Sequence, residues 1–220
     1  MLIKDYKMTK CPFGCNLFND ESNYHYWEDK KVTSDEIHIL DCIKNNFLHK
    51  KSKILHVGIG NSYIAKNIND YDLIDGISLS QNEIDLAKEK GIKNYNIFFQ
   101  NKYSENNIIK KRLYNYDIII DANLKSFSCC TEAFENLFKL YSNLLNKDGI
   151  IITSKKGMNW SRQIRPKWAF SISKFFHKKL KEFDGPENNK LKDNECFLLA
   201  EKYNLKFYNT LDEIAYFKNE

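Results

Sequence analysis

The sequence predicts an α/β protein in three layers, with helices on both faces of a seven-stranded, mostly parallel sheet that carries an antiparallel C-terminal strand. Three observations lead there. Between residues 53 and 153, short apolar runs alternate with stretches of helical periodicity. One run, DIIIDA at 117–122, is apolar enough to be buried on both faces, as the central strands of a parallel sheet are. The last two runs, at 205–208 and 213–217, are separated by only a few residues, and so short a connection demands antiparallel pairing.

Each element has its own signal. Ile37, Leu40, Ile43, Phe47 and Leu48 recur at helical spacing and predict a helix over 35–48, capped by Ser34 or Asp35. The first strand covers 53–57, and Ile64, Ala65 and Ile68 start a helix directly after it. A second strand covers 73–77. Ser80 then caps a helix that runs to Lys90 and ends at Gly91. A third strand covers 95–99, with a short helical stretch near 106–113. After the fourth strand, Ala133, Phe134, Leu137, Leu140, Tyr141 and Leu144 form the inner face of a helix over 131–145. Asp148-Gly149 reads as a turn into a fifth strand at 150–153. An amphipathic helix over 168–183, a loop over 184–189 and a helix over 194–203 lead to the closing hairpin.

At 220 residues, with 42% hydrophobic and 29% charged content, the chain has room for one domain with a full core. That domain is expected over 35–220. A turn-rich segment, 1–34, precedes it and sets Tyr24, His25, Tyr26 and Trp27 side by side. No apolar run approaches a membrane span, and MLIKDYKMTK has no apolar signal region, so no membrane association and a cytoplasmic location are expected. Adjacent Cys129 and Cys130 do not suit a disulfide framework. Cys11 and Cys15 lack two further ligands at matching spacing, and no metal site is expected.

The most informative stretch is KILHVGIGNSYIAKN at 53–67: strand, glycine turn, helix, the unit that grips a nucleotide-like ligand. Gly58 allows a sharp exit from the strand, and Gly60 removes a Cβ where backbone must touch a ligand. A dinucleotide fingerprint needs a third glycine three residues on, where Tyr63 stands. A tyrosine there obstructs close helix–strand packing, which disfavours NAD and FAD. Nothing reads G-x-x-x-x-G-K-[ST].

With Ser62, the turn reads G-x-G-x-S and resembles motif I of the class I S-adenosylmethionine-dependent methyltransferases. GISLSQNEIDLA at 76–87 resembles that family's phrase GVDISPEMLELA. The resemblance covers roughly 35–218. It implies a Rossmann-like three-layer sandwich in strand order 3-2-1-4-5-7-6, with S-adenosyl-L-methionine as cofactor. It implies that Gly58, Gly60 and Ser62 wrap the methionine half, with His56 at a position normally acidic in the family. The ribose-binding position at the end of strand two falls on Ser78, a weaker partner than a carboxylate. Asp75, three residues earlier, would serve only in another register. Leu79 packs on the adenine in this reading, and Gln100 or Asn101 accepts from its amino group, which Lys102 cannot do. Asp121, at the end of strand four, faces the transferring methyl and would orient cofactor or substrate. The [DN]-P-P-[YFW] motif of base-methylating enzymes is absent there. In this family the N-terminal segment often folds over the cofactor mouth, which assigns Tyr24 and Trp27 to exclusion of water and contact with the sulfonium.

Such an enzyme transfers a methyl group by alignment in a dry site. A general base is needed only where the acceptor is a hydroxyl. His25 and Asp121 are the catalytic candidates, and His177 shares the chemistry. Within a formal net charge of +5, residues 155–181 hold nine basic side chains and no acidic one. The resemblance places this run where substrate-binding inserts commonly sit. Lys155, Arg162 and Arg165 would then meet an anionic acceptor such as a phosphorylated or nucleotide-linked metabolite or an acidic sugar. The leading reading is O- or N-methylation of a small anionic or glycan-related metabolite. An RNA methyltransferase using the same basic face is a second reading, though no RNA-binding module is appended. A non-catalytic protein with this fold is a third, to which Ser78 and Lys102 lend weight.

Overall fold

The computed structural model of the chain describes residues 9–10, 16–17, 32–47, 51–104, 108–112, 114–126, 128, 130–157, 189–210 and 212–220. Seven strands form one sheet: β1 (Ser52–Val57), β2 (Tyr71–Ser78), β3 (Tyr95–Phe99), β4 (Tyr116–Asp121), β5 (Leu145–Ser154), β6 (Leu205–Asn209) and β7 (Ile214–Asn219). Their order is β3-β2-β1-β4-β5-β7-β6. The first five pair in parallel, and β7 is antiparallel to both β5 and β6. This is the order that the resemblance implies, with the reversed strand that the short closing connection demands. Thr9–Lys10 and Asn16–Leu17 form a separate two-stranded ladder. The aromatic cluster at 24–27 and the helix expected over 168–183 lie outside the described residues.

Five described helices cover the sheet: α1 (Ser34–Asn46), α2 (Tyr63–Asn67), α3 (Gln81–Glu89), α4 (Thr131–Asn143) and α5 (Asp193–Lys202). Side chains alternate across each strand, so one strand feeds two cores. Leu55, Val57, Ile119 and Ile151 pack with Phe134, Leu137, Phe138 and Tyr141 of α4 and with Cys196 and Leu199 of α5. Ile54, Ile118, Ile120 and Ile152 point the other way, toward Ile39, Leu40 and Ile43 of α1 and Ile64 and Ala65 of α2. The isoleucine run of β4 is buried on both faces because alternate members serve opposite layers.

Two local expectations change. The cap of α1 is Thr33: its Oγ1 accepts the Glu36 N–H at 3.2 Å, and Glu36 Oε2 accepts the Thr33 N–H at 2.9 Å. Ser34 and Asp35 fall inside the first turn because this reciprocal pair satisfies two donors where one side chain satisfies one. The Asp148-Gly149 turn does not precede β5 but lies within it. Leu145 already pairs with Tyr116, and the register shifts before Ile150 pairs with Ile118. A Cβ on Gly149 would stand 2.9 Å from the Asn146 carbonyl oxygen, so the irregularity requires glycine.

The register also settles the direction of Asp75. It pairs with Leu55 and Asn96, on the α4 side of the sheet. There, 1% exposed, it accepts from Tyr114 and Tyr116 Oη at 2.7 Å each, from Asn96 Nδ2 at 2.9 Å and from Arg112 Nη2 at 3.2 Å. Among the described residues no helix is long and apolar enough to cross a membrane.

Candidate functional site

In a doubly wound sheet, ligands bind beyond the carboxyl ends of the strands where the order reverses. Here that point lies between β1 and β4. The chain leaves β1 through a bend with φ of 70° at Gly58, 51° at Gly60 and 60° at Ser62. Gly58 is exposed, and a Cβ added to it would meet no atom of the described residues within 4 Å. Gly60 is buried, and its Cβ would stand 3.6 Å from Glu36 Oε1. Ser62 stands at the N-cap of α2 but makes no capping bond; Asn61 Oδ1 accepts the Tyr63 N–H at 2.9 Å. Its hydroxyl turns inward, fully buried, against the Tyr95 hydroxyl. Burial pushes the Tyr95 phenol up, and its hydrogen bond with Ser62 pulls it back down.

At the end of β2 the sequence reading assigns the ribose to Ser78. The structure gives its hydroxyl hydrogen to Glu83 Oε2, at 2.5 Å, while its Oγ accepts the Ser80 N–H at 3.0 Å. Ser80 caps α3 as predicted, accepting the Glu83 N–H at 3.3 Å. Glu83 does not complete that capping box. Its buried carboxylate turns to Ser78 and accepts the Gly60 N–H. Burial raises the Glu83 carboxyl, and those two hydrogen bonds pull it back down. Neither Glu83 nor Glu36 appears in the sequence reading. Both occupy the fourth position of an [ST]-x-x-E helix start, where Glu36 completes the capping box and Glu83 does not.

The next strand ends continue the rim. Gln100, half-buried, donates its N–H to the Ser78 carbonyl at 2.8 Å, and Leu79 is half-buried beside it. Asn101 is buried, and its Oδ1 accepts the Tyr103 N–H at 2.9 Å, which holds the turn after β3. Lys102 reaches across to β4. Its Nζ donates to Asp121 Oδ2 at 2.8 Å and to the Asn123 carbonyl at 2.6 Å. Asp121 also accepts from Tyr141 Oη at 3.1 Å and from the Asn123 N–H at 3.1 Å. Burial pushes the Lys102 ammonium down, and Asp121 pulls it back up. Tyr103 Oη donates toward the Leu124 and Ser126 carbonyls, each at 3.0 Å. The turn after β4 is therefore pinned to the exit of β3.

Lys155, at the end of β5, pairs with Asp193 at 2.7 Å. Tyr24, His25, Trp27, Arg162 and Arg165 lie outside the described residues. The structure thus gathers Gly58, Gly60, Ser62, Ser78, Leu79, Gln100, Asn101 and Asp121 at the carboxyl ends of β1 to β4.

His56 lies in β1 between Gly76 and Ile120, 3% exposed, with Nδ1 unpartnered among the described residues. Burial lowers its pKa from 6.5 to about 4. The unfolded chain therefore binds a proton that the folded chain refuses between those values. The stabilisation is complete above pH 6.5 and is lost as pH falls toward 4, approaching about 3 kcal/mol there. Urea unfolding at pH 7 and pH 4 should show this extra loss in the wild type and not in His56→Leu. Equal losses in the two proteins would place the proton elsewhere.

No protein-family model matches the chain, and no curated protein matches it. Solved structures do. The chain is similar to the N-methyltransferase NodS from Bradyrhizobium japonicum WM9 in complex with S-adenosyl-L-homocysteine, with a TM-score of 0.57 and 13% identity over 91% of this chain and 99% of that one. It is similar to the cyclopropane synthase MmaA2 from Mycobacterium tuberculosis, with a TM-score of 0.53 and 13% identity over 79% of this chain and 61% of that one. An O-methyltransferase family protein from Burkholderia thailandensis gives a TM-score of 0.56 and 10% identity over 84% of this chain and 55% of that one. The chain spans nearly all of the first and under two thirds of the other two. At these identities the likeness is one of fold.

Proposed function

We propose that this chain, which has the fold of the class I methyltransferases, is an S-adenosyl-L-methionine-dependent methyltransferase. The observation that carries the reading is the bend from Gly58 to Ser62. It leaves the central strand through left-handed backbone at both glycines and opens at Gly58, where a Cβ would meet no atom of the described residues within 4 Å. A nucleoside with an amino-acid end fits such a cradle. Tyr63 stands where a dinucleotide site needs glycine.

Bound there, the cofactor supplies an electrophilic methyl group. The protein's part is placement. Gly58 and Gly60 let the backbone approach the amino-acid end, and Leu79 and Gln100 flank the adenine side. Asp121 acts as a positioning residue. With Lys102, Tyr141 and the Asn123 N–H on its carboxylate, it holds the turn after β4 beside the acceptor. Where the acceptor is a hydroxyl, His25 is the proposed base; an amine acceptor, once neutral, needs none. The acceptor proposed is a small anionic metabolite, supported by the nine-cation run at 155–181. Because Asp193 already matches the charge of Lys155, Arg162 and Arg165 would carry most of that recognition.

Thermal unfolding with S-adenosyl-L-methionine and with S-adenosyl-L-homocysteine tests the cofactor. At about a hundredfold excess over Kd, binding adds about 2.7 kcal/mol and raises Tm by roughly 5–10 °C. No shift with either ligand at millimolar concentration overturns the reading. Transfer of labelled methyl to phosphorylated or acidic-sugar acceptors, and not to their neutral counterparts, tests the substrate class. Equal turnover of the neutral forms removes it.

A further inference from the structure

Resting on the methyltransferase reading above, we propose that Asn189 reads the methyl acceptor through a pair of neighbouring hydroxyls. The acceptor is then a phosphorylated or acidic sugar and not an anion without hydroxyls. Asn189 stands where the exits of β4 and β5 meet. Its main-chain carbonyl oxygen and Ser126 Oγ, in the turn after β4, each lie 2.7 Å from the point a Cβ on Gly157 would occupy. Gly157 lies just beyond β5 with φ of 49°, and only glycine lets the three segments come this close. The Leu191 N–H donates to the Lys155 carbonyl at 2.8 Å and holds the segment against the β5 exit.

The Asn189 side chain differs from its neighbours. Asn189 is 1% exposed, and neither Oδ1 nor Nδ2 has a hydrogen-bond partner among the described residues. The polar groups around those exits are bonded to one another. Lys125 pairs with Glu195 at 2.5 Å and Lys155 with Asp193 at 2.7 Å, which ties both exits to the first turn of α5. Ser128 Oγ donates to the Lys125 carbonyl at 2.6 Å. Lys102 gives its ammonium to Asp121 and to the Asn123 and Leu124 carbonyls. These groups hold the frame, and the Asn189 carboxamide takes no part in it. A buried amide with neither end bonded weakens a fold, and a polar ligand or a bound water completes its bonding.

The chemistry of the amide selects the ligand. It is neutral, with an acceptor at one end and donors at the other. A phosphate or carboxylate satisfies Nδ2 and leaves Oδ1 facing negative oxygen. Two neighbouring hydroxyls satisfy both ends, one donating to Oδ1 and the other accepting from Nδ2. The charge of the acceptor then falls to the cationic run at 155–181 and its hydroxyls to Asn189. A site built to bond hydroxyls strongly rejects analogues that lack them.

Calorimetric titration of the full chain tests this, with S-adenosyl-L-homocysteine present and its own binding measured first. The probes are glucose 6-phosphate, mannose 6-phosphate and cyclohexyl phosphate, the last carrying ring and phosphate without hydroxyls. At least one sugar phosphate should bind the wild type about tenfold more tightly than cyclohexyl phosphate, a comparison that needs no variant to fold. In Asn189→Leu that preference should shrink to about twofold or less, with cyclohexyl phosphate itself little changed. Without an acceptor, Asn189→Leu should keep its Tm within about 3 °C of the wild type or raise it, because leucine of similar size removes an unbonded amide. A larger fall would mean that the protein or a resident water already bonds the amide, and overturns the inference. If S-adenosyl-L-homocysteine binds and the hydroxyl preference is missing, or survives in Asn189→Leu, the role of Asn189 fails while the cofactor reading stands. If S-adenosyl-L-homocysteine does not bind, the cofactor reading fails and this inference with it.

Discussion

Replacing Gly58 with valine is expected to weaken S-adenosyl-L-homocysteine binding by about a hundredfold, roughly 2.7 kcal/mol, with the fold retained. The reason lies in where the new side chain points. At φ of 70°, an L-residue carries local backbone strain of roughly 1–2 kcal/mol, more when β-branched. The added Cβ then projects into space where no atom of the described residues lies within 4 Å. Packing among the described residues is untouched, so the loss falls on whatever occupies that space. Gly60→Val is the less clean variant, because its side chain crowds Glu36 Oε1 as well. Calorimetric titration beside far-UV circular dichroism decides it. Affinity retained within threefold, in a folded variant, would move the cofactor away from this bend.

Asp75→Ala should be strongly destabilising although the residue lies outside the candidate site. It strips acceptors from two tyrosine hydroxyls, an asparagine amide and the Arg112 guanidinium at once. Arg112 is a quarter exposed and regains water; Tyr116 is fully buried and does not. Breaking a buried charged network of this kind costs roughly 3–4 kcal/mol. In a chain of this length that lowers Tm by on the order of 10 °C. Tyr114→Phe removes one donor and leaves the carboxylate in place, so its expected cost is about 1 kcal/mol. Equilibrium urea unfolding of the two variants measures both. A loss below about 1 kcal/mol in Asp75→Ala would mean that the network contributes packing rather than bonding.

Most of the fold was legible because its signals are local and periodic. The inner face of α4, from Ala133 to Tyr141, follows from helical spacing, and its members Phe134, Leu137 and Phe138 are buried against the sheet. The isoleucines of β4 announce a central strand by being apolar at every position, since alternate ones serve opposite cores. Where boundaries moved, reciprocal or long-range bonds moved them. Thr33 outcompetes Ser34 because Glu36 reaches back to it, and β5 begins at Leu145 because Tyr116 is there to pair with it.

The candidate site was legible in part. The two glycines of the bend name themselves by spacing. Lys102 reads as a misfit for an adenine contact, and the structure shows it bound to Asp121 at the end of β4. Glu83 was hidden because a helix start explains it locally. Its bond to the Gly60 N–H joins the first turn of α3 to the bend after β1, which the β1–β2 pairing brings together.

By itself, then, the sequence determined the alternation of elements, the reversed C-terminal strand and the glycine bend, all of which depend on residues near one another in the chain. Only the tertiary structure decided which carboxylates face that bend and which are spent elsewhere. It turned Asp75 into a buried network, tied Asp121 to Lys102, and brought Glu36 and Glu83 to Gly60. The physical reason is that a carboxylate's role is set by the donors within hydrogen-bond reach, and here most of those donors come from distant parts of the chain.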